Sequence, residues 1–563
     1  MGRALRANVH IKRGRQCCGR VGELQCGDGI SGFFVLPFLV LLICGTALLS
    51  GCSTIPPGSE YPRTDSWAIA NPETTRLGQR FLTASREHEG KSGFQMINAG
   101  LDGFLLRVQM ANAAEKTLDL QYYIFRADSA GKILAQALLR AADRGVRVRL
   151  LIDDADRSPG DEQLAALASH PGIEVRIFNP FRYRGESKLL QGIEFASNPE
   201  RLDYRMHNKL MVIDNAVAIV GGRNIANEYF QVDPERQFAD DEVIAAGPIA
   251  QRLSTSFDSF WNNKLAIPVR AIEGEAVTAS ALAKFRKSLE AEESESDPVR
   301  NVYLKRKGSG EPWASFLTGK RPLVWAKAEV IADAPDKRLV EKGSRFGSLM
   351  APLVAQRASE VQSELLIISP FLIPGKEGME LIKNLRNRNV RVRILTNSLE
   401  STSKVVAHAG YMHYRLPLLK LGVELYELRS RPEKAAGTGE SKAMLRYGNF
   451  SLHAKFFIFD RKSLFVGSMN FDQRSRNINT EVGLIIDSAT LAEQAAKRFD
   501  EMTLPGNSYR LAFRPNPAGG NDQLIWLTQV GNKTVAYDIE PARSEEQRAK
   551  AMALSLLPLD GEL

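Results

Sequence analysis

The sequence predicts an α/β fold made twice: two duplicated α/β sandwich domains, each a mixed sheet flanked by helices. Three observations predict it. The stretch RMHNKLMVIDNAVAIVGGRN (205–224) returns as LHAKFFIFDRKSLFVGSMN (452–470). Short apolar runs alternate with longer stretches whose apolar residues recur at helical spacing, the pattern of strands joined by crossover helices. The order of these runs also repeats, with Val146 matching Val390 at an offset of 244 residues and His207 matching His453 at an offset of 246. A shared order at a nearly constant offset marks an internal duplication.

Each element follows from its local pattern. In the first copy, LDGFLLRVQMANAAEKT (101–117) is amphipathic, LDLQYYIF (118–125) is a buried strand, and GKILAQALLRAADRG (131–145) is a helix stopped by Gly145. VRVRLLIDD (146–154) is a strand, DEQLAALASH (161–170) a helix and IEVRIFNPF (173–181) a strand. The second copy replays them as SELLIISPFL, GMELIKNLRNRN, VRVRILTNS and GVELYEL. Near-continuous apolar strands of this kind belong to a sheet covered on both faces. The expected organisation is a leader over 1–52, a tether and N-terminal extension over 53–100 and a first domain over 101–270. A charged linker (271–345), a second domain (346–510) and a C-terminal hairpin and helix (511–563) complete it. The linker contains EAEESESDP and KRKGSGEP, and its Trp313 to Trp325 region could pack on a domain or on lipid. The tail shows a hairpin around Gly531-Asn532 and a final helix, SEEQRAKAMALSLL.

Length allows two full cores, and a net charge of +9 suits anionic partners without choosing between nucleic acid and membrane phosphate. All five cysteines lie within the first 52 residues, so no disulfide framework or thiolate metal site is expected beyond them. The leader is basic and then apolar from Phe33 to Ser50. It ends in Leu49-Ser50-Gly51-Cys52, which resembles a bacterial lipobox. That resemblance implies acylation at Cys52 and a membrane-anchored, periplasm-facing lipoprotein of the cell envelope; the alternative is an uncleaved N-terminal anchor in the inner membrane. STIPPGSEYPRTDS (53–66) reads as a flexible tether.

The repeated stretch carries the chemistry. Each copy holds a His, a Lys two residues on, an Asp five further, then Gly, Gly or Ser, and Asn. These are His207, Lys209, Asp214, Gly221, Gly222 and Asn224, and His453, Lys455, Asp460, Gly467, Ser468 and Asn470. On a strand, His and Lys at i and i+2 share a face, and the Gly turn can bring Asn beside it. Two such patches facing each other would cradle a phosphate with Lys209, Lys455, Asn224 and Asn470. One imidazole could then attack phosphorus while the other protonates the leaving oxygen. A nucleophilic His needs an acceptor on its far nitrogen. Glu242 and Glu481, each before a Val after its motif, are the expected orienting acids, with Asp240 or Asp241 as substitutes in the first half. Asp214 and Asp460 fall at strand ends, where a turn or ion-pair role is expected over direct catalysis. The remaining histidines past the leader, His88, His170, His408 and His413, show no ligand spacing; neither a metal nor a cofactor is expected.

These residues are the HKD motif, and the chain resembles the phospholipase D superfamily from about Leu101 onward. QYYIF, AADRGVRVRLLIDD, VGGRNIANEYF and NFDQRSRNINTE, with Arg474, Ser475 and Asn479, resemble its bacterial cardiolipin synthase branch. The resemblance implies two phospholipase D-like domains sharing one active site. Its catalytic set would be His207, Lys209, Asp214, His453, Lys455 and Asp460, with His207 as nucleophile and His453 as acid/base. The implied reaction moves a phosphatidyl group to phosphatidylglycerol through a phosphohistidine; hydrolysis to phosphatidic acid is the alternative, and a nuclease the more distant one. The partners expected are membrane phospholipids, phosphatidylglycerol and phosphatidylethanolamine, and no nucleic acid.

Overall fold

The structure, a computed structural model, describes residues 56–558 apart from 157–160, 186, 234, 295–300, 302, 304–311, 319, 338–349, 432–448 and 515–521. The leader with Cys52 lies outside the described residues.

The first half supplies β1 (Ser92–Ile97), β2 (Thr117–Tyr122), β3 (Arg147–Asp153), β4 (Ile173–Phe178), β5 (Leu210–Ile213), β6 (Val217–Gly221), β7 (Arg236–Ala239), β8 (Glu242–Ala246) and β9 (Ala266–Pro268). The second supplies β10 (Val324–Ala332), β11 (Glu364–Ile368), β12 (Arg391–Asn397), β13 (Glu424–Leu428), β14 (Asn449–Leu452), β15 (Phe456–Phe459), β16 (Ser463–Gly467), β17 (Val482–Asp487) and β18 (Ser508–Arg514). A C-terminal hairpin, β19 (Gln523–Val530) and β20 (Lys533–Tyr537), follows. In the first half β2, β3 and β4 run parallel and β5, β6, β8 and β1 continue antiparallel from β2. The second half repeats this with β11, β12 and β13 parallel and β15, β16, β17 and β10 antiparallel. Because β1 pairs with β10, the two sheets join edge to edge.

Among the described residues three large apolar cores hold this arrangement. The outer face of the first sheet packs on Gly100–Ala113 and Ser129–Asp143, burying Leu106, Met110, Leu134 and Leu138 against Leu118 and Leu120. The outer face of the second packs with Ile382 and Leu385 over Ile367 and Phe457. The inner faces share the third core. There Val212, Val220 and Val243 meet Leu366, Phe456 and Val466, together with Phe257 and Trp261 of helix Pro248–Trp261 and Phe499 of helix Ala489–Met502. Each fully buried side chain of this size removes about 1.5–3 kcal/mol worth of apolar surface from water. The halves are therefore fused by a common core.

The boundaries differ from expectation in two places. Segment 271–345, expected as a charged linker, contains helix Pro312–Thr318, whose Trp313 and Phe316 stack at 5.1 Å in the first core. It also contains β10, whose three matched pairs with β1 and six with β17 join the sheets. The expected tether is docked at its far end: Ser66 N donates to Asn262 Oδ1 (3.0 Å) and Ala68 N to Asp258 Oδ2 (2.9 Å). The hairpin turns at Gly531, with Val530 opposite Lys533, and the closing helix is Glu545–Ser555. No helix among the described residues is long and apolar enough to cross a membrane.

Candidate active site

Each motif is a hairpin, β5–β6 or β15–β16, with its His and Lys just ahead of the first strand. The residue before each His is fixed from the end of a neighbouring parallel strand. Met206 N donates to Asp153 Oδ2 (2.7 Å), and Leu452 N donates to Asn397 Oδ1 (2.8 Å). It then pairs with the backbone of the other half. Met206 bridges Thr480, with His207 N donating to Thr480 O (2.9 Å). Leu452 pairs with Ala239 across β14–β7, with His453 N donating to Ala239 O (2.8 Å). The next residue across the seam is a carboxylate in both cases. His207 Nδ1 lies 2.9 Å from Glu481 Oε2, and His453 Nδ1 lies 2.6 Å from Asp240 Oδ2. Each half therefore orients the other half's histidine.

The lysines fold back beneath their histidines, Lys209 Nζ donating to His207 O (2.6 Å) and Lys455 Nζ to His453 O (2.5 Å). Asn224 Oδ1 accepts from Ile124 N (3.2 Å), while Asn470 Oδ1 is buried with no hydrogen-bond partner among the described residues. Aromatic rings set the imidazole planes. Tyr123 meets His207 edge-on at 4.9 Å, and Tyr229 and Phe238 each lie 5.0 Å from His453. Sequence reasoning missed these rings, although Tyr123 in QYYIF and Tyr229 in NEYF stand at strand and turn ends, where side chains reach the cleft.

Burial and like charge keep both imidazoles neutral. Burial, then the Lys209 and Lys455 charges, holds His207 well below its ordinary value. Burial and Lys455 push His453 down to about 3 despite the opposing Asp240 carboxylate. Burial lifts Glu481 to about 7. Burial also acts to raise Asp240, but His453, Lys455 and Arg223 outweigh it and hold the carboxylate below its usual range. Lys455 is lowered to about 8, again chiefly by burial. A bound phosphodiester anion would offset the lysine charges and ease imidazole protonation, so proton transfer is tied to substrate occupancy.

Four expected residues sit elsewhere. Glu242, expected as an orienting acid, touches neither histidine: it is buried between Arg107 (3.0 Å) and Arg223 (3.0 Å). Asp241 lies 3.7 Å from Arg498 and likewise serves neither ring. Asp214 and Asp460 cap the far end of each hairpin. Asp214 accepts from the backbone N–H groups of Glu115 (2.9 Å), Lys116 (2.8 Å) and Thr117 (3.0 Å). Asp460 does the same for Gln362 (3.0 Å), Ser363 (2.7 Å) and Glu364 (3.0 Å). Both adopt positive φ, 50° and 52°, as does the residue after each. The "D" of each motif thus fixes a turn and a strand start. Of the other histidines, His170 pairs with Asp143 (3.1 Å) and His408 with Glu540 (2.7 Å). Among the described residues no cluster of three or more His, Cys, Asp or Glu could hold a metal ion.

Residues 108–261 and 354–503 match the family model described as "Cardiolipin synthase, PLD-like domain". The chain is 36% identical over 492 residues to Cardiolipin synthase C of Escherichia coli (strain K12), covering 86% of this chain and 99% of that protein. It is 23% identical over 439 residues to Probable cardiolipin synthase YwiE of Bacillus subtilis (strain 168), covering 76% and 71% respectively. Among solved structures it is similar to the phosphatidylserine synthase of Haemophilus influenzae Rd KW20, with a TM-score of 0.48 and 12% identity over 77% of this chain and 92% of that one. The chain belongs to the PLD-like cardiolipin synthase family.

Proposed function

We propose that this protein is a phosphatidyltransferase that makes cardiolipin, moving a phosphatidyl group from one phospholipid to a hydroxyl of phosphatidylglycerol. The observation that carries the reading is the crossed pair of His–carboxylate contacts, His207–Glu481 and His453–Asp240, around two buried lysines. With its Nδ1–H donated to Glu481, His207 keeps the Nε2 lone pair for attack on phosphorus. Burial and then the surrounding cations favour that neutral form. As the His207 Nε2–P bond forms, the bond from phosphorus to the donor headgroup oxygen breaks, and that oxygen takes a proton from His453, which has taken it from solvent once the bound anion offsets the lysine charges. The ionised Asp240 stabilises the imidazolium this role requires. In the second step neutral His453 removes the proton from the acceptor hydroxyl, whose oxygen displaces His207 from phosphorus. Lys209, Lys455, Asn224 and Asn470 would hold the nonbridging oxygens through both steps.

Phosphatidylglycerol or phosphatidylethanolamine serves as donor in this scheme. Water in place of the acceptor alcohol would make the same site a phospholipase D. Anchoring through the lipobox-like Cys52 would hold the enzyme on the periplasmic side of the envelope, where both lipids are at hand. The test incubates the purified full chain with labelled phosphatidylglycerol and phosphatidylethanolamine, separately and mixed, and resolves the lipids. Labelled cardiolipin is expected; phosphatidic acid without cardiolipin would replace the transferase by the hydrolase.

A further inference from the structure

Between β4 and His207 the chain makes an excursion, and both its ends are pinned. At its start, Phe181 N donates to Asp154 Oδ2 (2.7 Å) and Arg184 Nη1 pairs with the same carboxylate (2.8 Å). At its end, Asn179 Nδ2 donates to Tyr204 O (2.9 Å), and Arg474 of the second half donates to Asp203 O (2.7 Å). Between these pins lies helix Lys188–Ser197, KLLQGIEFAS, capped by Ser187 and with none of its own side chains buried.

The helix is amphipathic in the wrong sense for a globular protein. Its polar residues turn to the loop that precedes it: Glu194 accepts from Arg182 N (2.6 Å) and Tyr183 N (2.8 Å), and Gln191 Nε2 donates to Gly185 O (3.2 Å). The opposite face, at i, i+4 and i+7, carries Leu189, Ile193 and Ala196, with Leu190 and Phe195 at its flanks. Leu189 is 74% exposed, Ile193 57%, Leu190 45% and Phe195 40%. Four large apolar side chains gathered on one short helix, away from the core, mark a surface that meets an apolar medium. The exposed cations Arg182 and Lys188 flank it, a charge arrangement that complements anionic lipid headgroups. The segment continues through a short helix, Pro199–Leu202, into Arg205-Met206-His207, and Arg474 holds Asp203 on the way, so the excursion is tied to the backbone that carries the histidine.

We propose that helix Lys188–Ser197 docks on an anionic phospholipid bilayer, dipping Leu189, Leu190, Ile193 and Phe195 into the interface. Docked this way, it presents a lipid phosphodiester to His207 without extracting the acyl chains. This rests on the phosphatidyltransferase reading, and two substrates keep the two separable. The full chain is reconstituted into phosphatidylglycerol/phosphatidylethanolamine vesicles, and turnover is measured on vesicle lipid and on dihexanoyl phosphatidylglycerol dispersed as monomers. The double variant Leu189→Gln, Ile193→Gln should lose tenfold or more of its turnover on vesicle lipid and stay within about twofold on the monomeric lipid. Equal turnover on both substrates, or a parallel fall on both, would overturn the proposal. A second variant, Leu189→Trp, should gain an emission quenched by brominated acyl chains in the vesicles. An unquenched emission, with the double variant converting a dimer to a monomer, would give the face to a second copy instead. A wild-type chain that turns over neither substrate would sink the enzymatic reading rather than the docking.

Discussion

The two halves carry the same hairpin, the same His–Lys pair and the same capping Asp, yet they prepare their histidines differently. The first half lends the ionised Asp240 to His453; the second lends Glu481, lifted to about 7, to His207. The cause lies one shell out. Ser468 Oγ donates to Glu481 Oε2 (2.5 Å) and accepts from Val482 N (3.0 Å), locking the longer side chain. At the matching position Gly222 leaves room for the Asp240 carboxylate, which a Cβ there would run into. Gly221 faces Glu242 where Gly467 faces Gly483, and Glu242 ties Arg107 and Arg223 into a buried ion cluster with no counterpart at Met469 and Gly483. A duplication thus yields a nearly symmetric site with unequal carboxylates, which suits the proposed two-step transfer.

That comparison breaks most visibly at the histidines. His207→Ala and His453→Ala should each lower turnover of phosphatidylglycerol by about 10⁴-fold or more, because nucleophile and acid/base cannot substitute for each other. Next come the carboxylates. Asp240→Asn and Glu481→Gln should each cost about 10–100-fold in kcat. Asp240→Asn should in addition move the limb of the kcat–pH profile assigned to the acid, and Glu481→Gln should leave it in place. Identical profiles would erase the distinction between the halves. The exchange Gly222→Ser should cost about tenfold or more by displacing Asp240, whereas Ser468→Gly removes one hydrogen bond and should cost only a few-fold.

The smallest effect is thermodynamic. Glu481, raised to about 7, contributes stability that is present below its ordinary value of 4.5 and lost as pH rises through 7. His453, lowered to about 3, works the other way: its contribution is present above 6.5 and lost as pH falls. The two oppose between pH 4.5 and 6.5. In Glu481→Gln only the histidine side remains, so unfolding free energy should climb with pH more steeply than in the wild type. The difference is at most about 1.4 kcal/mol per pH unit and can be read by denaturant titration at a series of pH values.

Much of this was legible in the residues, and the gaps have definite causes. The α/β order, the duplication and the histidine, lysine and asparagine set followed from pattern and spacing. Of the orienting acids, Glu481 was legible and Asp240 only as a substitute, because matching the Glu-Val pairs at 242–243 and 481–482 aligns Glu242 with Glu481. Strand register instead places Glu242 with Gly483 and Asp240 with Glu481. A two-residue slip keeps side chains on the same face, so periodicity cannot detect it. That each carboxylate serves the other half's histidine is a fact of long-range pairing, β7 with β14 and Met206 with Thr480, which no local spacing encodes. β10 hid within a polar stretch because its burial is only partial along most of its length. The outward apolar face of Lys188–Ser197 needs the fold to show which side is out.

The most direct test of the central claim is to trap the intermediate. His453→Ala, given labelled phosphatidylglycerol and quenched rapidly at alkaline pH, should carry one phosphatidyl group per chain on the peptide containing His207, and His207→Ala should carry none. A phosphatidyl group on the His453 peptide of His207→Ala, with none on the His207 peptide of His453→Ala, would contradict the account and reverse the roles of the two halves.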